Sequence, residues 1–176
     1  MSLPRRTFDF QKQLQIGSRG EDIFYELYHE FYDMNNDKNC KLPDFVHKTT
    51  GALVEVKYDD SKSAYLDEKG QQRNFFIEKY SNDEIGTLGG PFRAFSEGCD
   101  YYVYIFNKPR RIFIMDVRRL LEISNRLIES GKYRKISIRN RTYNTSGYAL
   151  PISEFLSCQI THQEFISGIL QSKKLR

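Results

Sequence analysis

The chain has 176 residues, a hydrophobic fraction of 39% and a formal net charge of +4. This size and composition are typical of one globular domain with a substantial core. No apolar run reaches the roughly 18 residues that a membrane-spanning helix needs, and the N-terminus lacks the apolar segment of a signal peptide. We therefore expect a cytoplasmic protein with no membrane partner. The mildly basic charge permits a polyanionic partner, and the three separated cysteines match neither a disulfide framework nor a zinc site.

The first predicted element is a helix from Ser18 to about Asp33, after a loose polar lead-in over residues 1–16. Ser18 and Glu21 have the S-x-x-E spacing of a capping box, in which both side chains bond backbone groups at the start of a helix. The polar residues 34–37 predict the turn that follows. Apolar side chains between the two ends recur at helical spacing, namely Phe24, Leu27, Tyr28 and Phe31.

A β-hairpin is predicted next, with strands over residues 41–47 and 52–58 around a turn at residues 48–51. Because successive side chains of a strand point to opposite faces, Glu55 and Lys57 share one face of an otherwise apolar strand. Burying such charged groups is costly unless they are paired or bind an ion. One interpretation is therefore structural, with Glu55 and Lys57 paired to each other or to neighbouring strands.

A second interpretation is chemical, because the hairpin can bring Asp44 of the preceding strand beside Glu55. Two adjacent carboxylates repel each other, and a divalent cation removes the repulsion. Mg²⁺ prefers oxygen ligands, which Asp44, Glu55 and the backbone carbonyl of Val56 can supply. Such an ion acidifies a bound water molecule and polarises a phosphate ester. Lys57 can orient that water or stabilise the charge that develops at the phosphate.

Pro43-Asp44 followed by Glu55-Val56-Lys57 on an apolar strand resembles the signature of the PD-(D/E)XK nuclease superfamily. The resemblance covers about residues 17–106. It implies the restriction-endonuclease-like fold, with an αβββαβ core in which a mixed sheet is flanked by helices. It also implies a metal-dependent endonuclease that hydrolyses phosphodiester bonds of DNA with Mg²⁺, for which Mn²⁺ can substitute. Asp44, Glu55 and Lys57 would then be catalytic.

Two further likenesses to the family are less specific. Members often carry a glutamate on the first helix, and Glu21 matches that position, although a capping role would also explain it. The stretch from Phe75 to Phe106 is similar to small phage-type members. The acid-x-Lys spacing alone carries little weight, because Asp60-Ser61-Lys62 and Asp67-Glu68-Lys69 repeat it in a polar loop. The strand context and the preceding Pro-Asp distinguish the first triplet.

The remaining pattern predicts one nuclease-like α/β domain, with a core over about residues 17–106 and a C-terminal elaboration over about residues 107–176. The strands at 74–80 and 100–106, with a short helix between them, suit a parallel crossover, and the first three strands suit an antiparallel meander. Further predicted elements are strands at residues 111–116, 135–140 and 148–152, a helix at residues 117–130, and a last helix that starts with a capping box at Thr161 and Glu164.

A run of basic residues is the predicted DNA-binding segment, because such a run suits contacts to phosphate. It comprises Lys132, Arg134, Lys135, Arg139 and Arg141. A strand edge protected by charge would explain the same run. Glu78 on the strand at 74–80 is either a ligand of a second metal ion or part of an ion pair. If both strands of a duplex are cut, a homodimer is expected, because one site cuts one strand.

Two other functions fit the same residues. A fold does not by itself confer activity, so a catalytically inactive module that binds nucleic acid or supports assembly is the main alternative. The intact set of two acids and a lysine argues against a loss of activity. RNA in place of DNA as the substrate is the other alternative.

Overall fold

The structure is a computed structural model that describes residues 10–35, 43–60, 66–140 and 142–168, with the backbone only for residues 10–17. Its elements in chain order are α1 (Phe10–Tyr28), β1 (Tyr32–Met34), β2 (Phe45–His47), β3 (Leu53–Asp59), β4 (Asn74–Asn82), β5 (Thr87–Leu88), α2 (Gly90–Ser96), β6 (Tyr101–Phe106), β7 (Arg111–Asp116), α3 (Val117–Glu129), β8 (Lys135–Arg139), β9 (Asn144–Pro151), a 3₁₀ helix (Ile152–Cys158) and α4 (His162–Ser167). The mixed α/β class predicted from the sequence is confirmed, with two sheets flanked by helices.

The five-stranded sheet has the order β1-β2-β3-β6-β7. β1, β2 and β3 form an antiparallel meander, β6 lies parallel to β3, and β7 returns antiparallel to β6. Every residue of β6 is buried. Layers cover both faces of the sheet at this strand, which explains its continuous apolar and aromatic sequence.

The second sheet is antiparallel, with the order β5-β4-β9-β8. It contains the strand predicted at residues 74–80, so the prediction that this strand belongs to the first meander is wrong. The meander instead includes β1, whose three residues are too few to show an alternating pattern in the sequence. The predicted parallel crossover is also wrong in its partner, because β6 pairs with β3 and not with β4. Strands that follow one another along the chain usually pair. Here β4 and β5, which lie between β3 and β6 in the sequence, belong to the second sheet.

The first helix starts earlier and ends earlier than predicted. α1 already includes Phe10, so Ser18 and Glu21 lie inside it and do not form the predicted capping box. Residues 10–16 include glutamine, lysine and leucine, whose helix propensity outweighs the lack of a clear apolar stripe. The predicted loose lead-in is therefore wrong for these residues. α1 ends at Tyr28, and β1 replaces the end of the predicted helix.

Several later predictions are confirmed. β7 and α3 match their predicted ranges to within one residue, and the capping box of Thr161 and Glu164 starts α4. Cys99 and Cys158 are buried free thiols.

None of the described helices has the length and the apolar character that crossing a membrane requires. Cys40, Arg141 and the predicted strand residues 41–42 lie outside the described residues.

Two hydrophobic clusters lie on opposite faces of the five-stranded sheet. Alternation along β6 places Tyr102 in one cluster and Tyr101 in the other. α2, α3 and the four-stranded sheet cover the first cluster, while α1 and α4 cover the second. Phe155 and Phe165 are fully buried in these clusters, so residues after β6 contribute to both layers of the core.

Candidate functional site

The β2–β3 hairpin sets Asp44 beside Glu55. Phe45 pairs with Val54, so continuing this antiparallel register by one residue puts Asp44 opposite Glu55. Asp44 lies just before β2, and its carboxylate accepts a hydrogen bond from the backbone N–H of Val56 at 2.8 Å. This bond crosses the hairpin and fixes the Asp44 side chain against β3. The predicted neighbourhood of the two acids is therefore present.

The backbone carbonyl of Val56 points toward the same edge of β3 as Asp44. On the other edge, the carbonyl of Leu53 accepts a hydrogen bond from the backbone N–H of Asp100, next to β6. Backbone groups alternate in direction along a strand, so those of Val56 point away from β6 and toward β2. The Val56 N–H follows this rule in its bond to Asp44, and its carbonyl oxygen lies on the same side.

Burial and repulsion raise the pKa values of both carboxyl groups. Loss of solvent is the largest cause at each, and the charge of Asp44 raises the pKa of Glu55 further. The hydrogen bond from the Val56 N–H lowers the pKa of Asp44 in part, because it stabilises the ionised form. Two carboxyl groups in one shielded place cannot both ionise without cost, so the pair favours a bound proton or a bound cation.

α2 brings an ion pair to this site. The charge of Arg93 lowers the pKa values of Asp44 and Glu55, against the larger effect of burial. Arg93 Nε donates to Glu97 Oε1 at 2.8 Å, and this bond is the largest cause of the raised pKa of Arg93. Glu97 Oε2 is buried and has no hydrogen-bond partner in the described part of the chain. Sequence reasoning missed both residues, although their four-residue spacing on a helix is the signal of such a pair.

Lys57 lies on the face of β3 that carries Glu55, as strand alternation predicts. Its ammonium is 3.8 Å from the carboxylate of Glu78 on β4, so the ion-pair alternative for Glu78 is confirmed.

Tyr102 of β6 lies next to Glu55 in the parallel register of β3 and β6. Tyr102 is fully buried, and burial together with the charges of Glu55 and Glu78 raises the pKa of its hydroxyl. Sequence reasoning missed Tyr102 because it assigned another strand to β6 as its parallel neighbour.

Glu21 lies near the Asp44 side of the site. α1 approaches β3 closely at Gly20, where an added Cβ atom would be 2.7 Å from the Cβ of Tyr58. This contact places the next residue, Glu21, close enough that its charge raises the pKa of Asp44. The pKa of Glu21 is itself raised, first by burial and then by the charge of Asp22. Glu21 therefore adds a third acidic group to the surroundings of Asp44.

The donors at this site fit a hard divalent cation. Asp44, Glu55 and the carbonyl of Val56 offer oxygen ligands of the kind that Mg²⁺ uses together with water and phosphate. Burial is the larger cause of the two raised pKa values, and a cation would remove the repulsion between neighbouring acids that adds to it. Within the described ranges, no three acidic, histidine or cysteine side chains are grouped so that they could hold an ion by themselves. A cation here would therefore depend on two side chains, one carbonyl and ligands from outside the protein.

The two look-alike triplets have structural hydrogen bonds in loops. Asp67 accepts hydrogen bonds from the backbone N–H groups of Lys69 and Gln71, and so closes a turn. Asp60 accepts a hydrogen bond from the side chain of Asn107, while residues 61–62 lie outside the described residues. Only the strand-borne triplet has an acid brought to it by a paired strand in the described structure.

The predicted DNA-binding residues lie on or near β8, at one edge of the four-stranded sheet. Lys135 forms an ion pair with Asp83 at 2.8 Å. Pairing across β4, β9 and β8 puts Lys135 on the face of Ile77, whereas Glu78 occupies the other face. The structure therefore does not bring Lys135 to the Asp44–Glu55 pair, and protection of a strand edge also explains the charge. The exposed members of the segment are Lys132, Arg134, Lys135 and Arg139.

The chain was compared with protein families, curated proteins and solved structures. No family model, curated protein or solved structure matches the chain.

Proposed function

We propose that this protein is a Mg²⁺-dependent nuclease that hydrolyses phosphodiester bonds of DNA. The hairpin register carries the proposal, because it sets Asp44 opposite Glu55 with Lys57 two positions along on the same face. Two half-buried carboxylates that repel each other complement a cation, and a neighbouring ammonium complements an anionic ester.

The order of the elements supports the proposal. α1, β1, β2, β3, α2 and β6 follow one another as helix, three strands, helix and strand, with an antiparallel meander and a parallel last strand. This is the αβββαβ order that the PD-(D/E)XK resemblance implies, if β4 and β5 are treated as an insertion. The proposed core thus includes β1 in place of the strand that the sequence suggested.

Each residue of the site has a proposed part in the reaction. Asp44, Glu55 and the Val56 carbonyl would hold the cation, which when bound acidifies water and polarises the scissile phosphate. Lys57 would stabilise the negative charge that develops as the water oxygen bonds to phosphorus and the ester oxygen leaves. Glu21 would orient water on the Asp44 side. Arg93, held by Glu97, would add a second positive charge beside the bound phosphate.

A substrate panel tests this function. The purified protein is incubated with linear, supercoiled and branched DNA and with RNA, each with Mg²⁺, with Mn²⁺ or with a chelator. We expect metal-dependent cleavage of DNA by the wild type, loss of cleavage in Asp44→Ala, and slow but measurable cleavage in Lys57→Ala, which keeps the residues that would hold the metal ion. Glu154→Gln is a matched control, because it removes an ion pair of similar length, 3.7 Å from Arg126, on other elements. The absence of metal-dependent cleavage on every substrate would reject the proposal.

One observation favours a second candidate, a module that binds nucleic acid without cutting it. Arg93 lies close enough to Asp44 and Glu55 to lower both of their pKa values. It could therefore compensate part of their charge without a metal ion. This candidate predicts that DNA binding is unchanged by a chelator and that no product forms with either metal. Cleavage that Asp44→Ala abolishes would exclude it.

A further inference from the structure

We infer that Glu78 is a positioning residue that holds the ammonium of Lys57 at the reacting phosphate, an inference that rests on the proposed nuclease function. The two side chains come from different sheets, Lys57 from β3 and Glu78 from β4, and their charged atoms are 3.8 Å apart. The Glu78 side chain is 16% exposed and that of Lys57 is 36% exposed. The carboxylate is therefore the more enclosed partner, and the lysine is the one that reaches toward solvent.

A lysine needs such a partner if it is to act at a defined place. Its ammonium is a strongly hydrated point charge on a flexible four-carbon chain. On the open side of β3 it could extend into water, or it could fold back toward Glu55 on the same face. The ion pair with the Glu78 carboxylate limits both movements. Catalysis by a positioned charge depends on this kind of restriction.

The chain at the start of α2 lies directly against Glu78 and limits the space open to its carboxylate. A Cβ atom at Gly89 would overlap Oε1 of Glu78, and one at Gly90 would lie 2.8 Å from the backbone oxygen of Glu78. Gly89 has an extended backbone that any residue can adopt, so the reason for glycine there is space and not conformation. Because neither glycine has a side chain, the start of α2 can pack directly against Glu78.

A second contact joins β4 to the same face of the five-stranded sheet. The hydroxyl of Tyr104 donates to Asp59 Oδ2 at 2.7 Å and accepts from the backbone N–H of Phe76 at 3.2 Å. Phe76 lies two residues before Glu78 on β4. β4 is therefore anchored beside β3 next to the ion pair. Glu78 is thus held by its own strand and by Gly89, and it can fix the position of Lys57.

A double-mutant cycle tests the inference on supercoiled DNA with Mg²⁺. We expect Glu78→Gln to lower kcat by about ten- to a hundredfold, the scale of a misplaced reacting group, with little change in KM. In the Lys57→Ala background the same substitution should have no further effect, because the residue it positions is gone. The inference is overturned if Glu78→Gln leaves kcat unchanged, or if it lowers kcat equally in the presence and absence of Lys57.

A second cycle separates a failure of the inference from a failure of the nuclease function. The free energy of unfolding in urea is measured, without metal, for the wild type, Lys57→Met, Glu78→Gln and the double variant. We expect the effects of the two substitutions to be non-additive, and more so than for Arg126→Met and Glu154→Gln at the exposed pair. If the wild type cuts no DNA, the nuclease function is rejected, but this cycle still shows whether Lys57 and Glu78 interact. Additive effects at positions 57 and 78 would overturn the inference in either case.

Discussion

Asp44 Oδ2 accepts a hydrogen bond from the Val56 backbone N–H at 2.8 Å, across the point where pairing of β2 with β3 ends. The bond holds the carboxylate at the strand edge toward which the Val56 carbonyl also points. An amide oxygen can accept the same bond. Asp44→Asn therefore removes the charge of the site while it keeps the contact, which makes this variant more informative than a truncation.

The first prediction concerns metal binding. Mn²⁺ is titrated into the protein and the free ion is measured by electron paramagnetic resonance. Asp44→Asn and Glu55→Gln should each weaken binding by more than the 10- to 100-fold typical of residues outside the ligand shell, since each removes a ligand. Glu154→Gln should bind as the wild type does. Equal Mn²⁺ affinity in all four proteins would exclude a site between Asp44 and Glu55.

The second prediction is that the metal-free protein loses stability as pH rises. The pKa of Asp44 is raised to about 6 and that of Glu55 to about 8, against values near 4 in an unfolded chain. Between these values the folded state binds more protons than the unfolded state, so the free energy of unfolding falls with pH. The contribution is complete below about pH 4, falls through the interval, and is lost above about pH 8.

Variants isolate this effect from the other titrating groups. At pH 8 without metal, Asp44→Asn and Glu55→Gln should each be more stable than the wild type by about 1–3 kcal/mol, since each removes a half-buried charge whose pKa is raised by loss of solvent and by neighbouring acids. At pH 4 the difference should nearly vanish, because the wild-type groups are then protonated. Urea unfolding across this range measures both. A variant that is less stable than the wild type at pH 8 would contradict the origin of the shifts.

The sequence was sufficient to predict the hairpin and the neighbourhood of Asp44 and Glu55, because both depend on local pattern. Strand alternation placed Glu55 and Lys57 on one face, and the short turn fixed Asp44 opposite Glu55. It was not sufficient to find Arg93, because nothing in its own segment shows that folding brings it to β3. Glu78 was predicted near the site as a metal ligand or part of an ion pair, but on a strand of the same sheet, whereas β4 belongs to the other sheet.

The errors in the fold have the same origin. β1 has three residues and no readable period, whereas the stronger strand β4 belongs to another sheet. The S-x-x-E motif at Ser18 predicted a helix start in the interior of α1, because a capping motif can occur by chance inside a helix. The same motif at Thr161 is a true cap. The residues before each motif distinguish the two cases, because they are already helical before Ser18 but not before Thr161.

The third prediction concerns the approach of α1 to β3. Gly20→Ala would put a methyl group 2.7 Å from the Cβ of Tyr58. Alanine normally favours a helix by up to about 1 kcal/mol over glycine, but the overlap should reverse this and cost about 1–3 kcal/mol. Urea unfolding measures the change, with the exposed Ser18→Ala on the same helix as the control. A Gly20→Ala protein that is more stable than the wild type would show that the helix does not pack this closely.

The fourth prediction moves Glu78 without changing its charge. Gly89→Ala would place a methyl group against the Glu78 carboxylate and 2.8 Å from the backbone nitrogen of Ser81. We expect kcat on DNA to fall about as far as in Glu78→Gln, with some loss of stability from the backbone contact. Adding Gly89→Ala to Lys57→Ala should lower kcat no further. A full additional loss would mean that Gly89 acts on the site by another route.

Cleavage of supercoiled plasmid by equal amounts of folded wild type, Asp44→Asn and Glu154→Gln, with Mg²⁺ and with a chelator, tests the central claim most directly. The account predicts nicked or linear product from the wild type and from Glu154→Gln only when Mg²⁺ is present. It predicts at least about a hundredfold less product from Asp44→Asn, since the charge that would hold the ion is gone while the bond to Val56 remains. Cleavage by Asp44→Asn at the wild-type rate, or equal cleavage with the chelator, would contradict it.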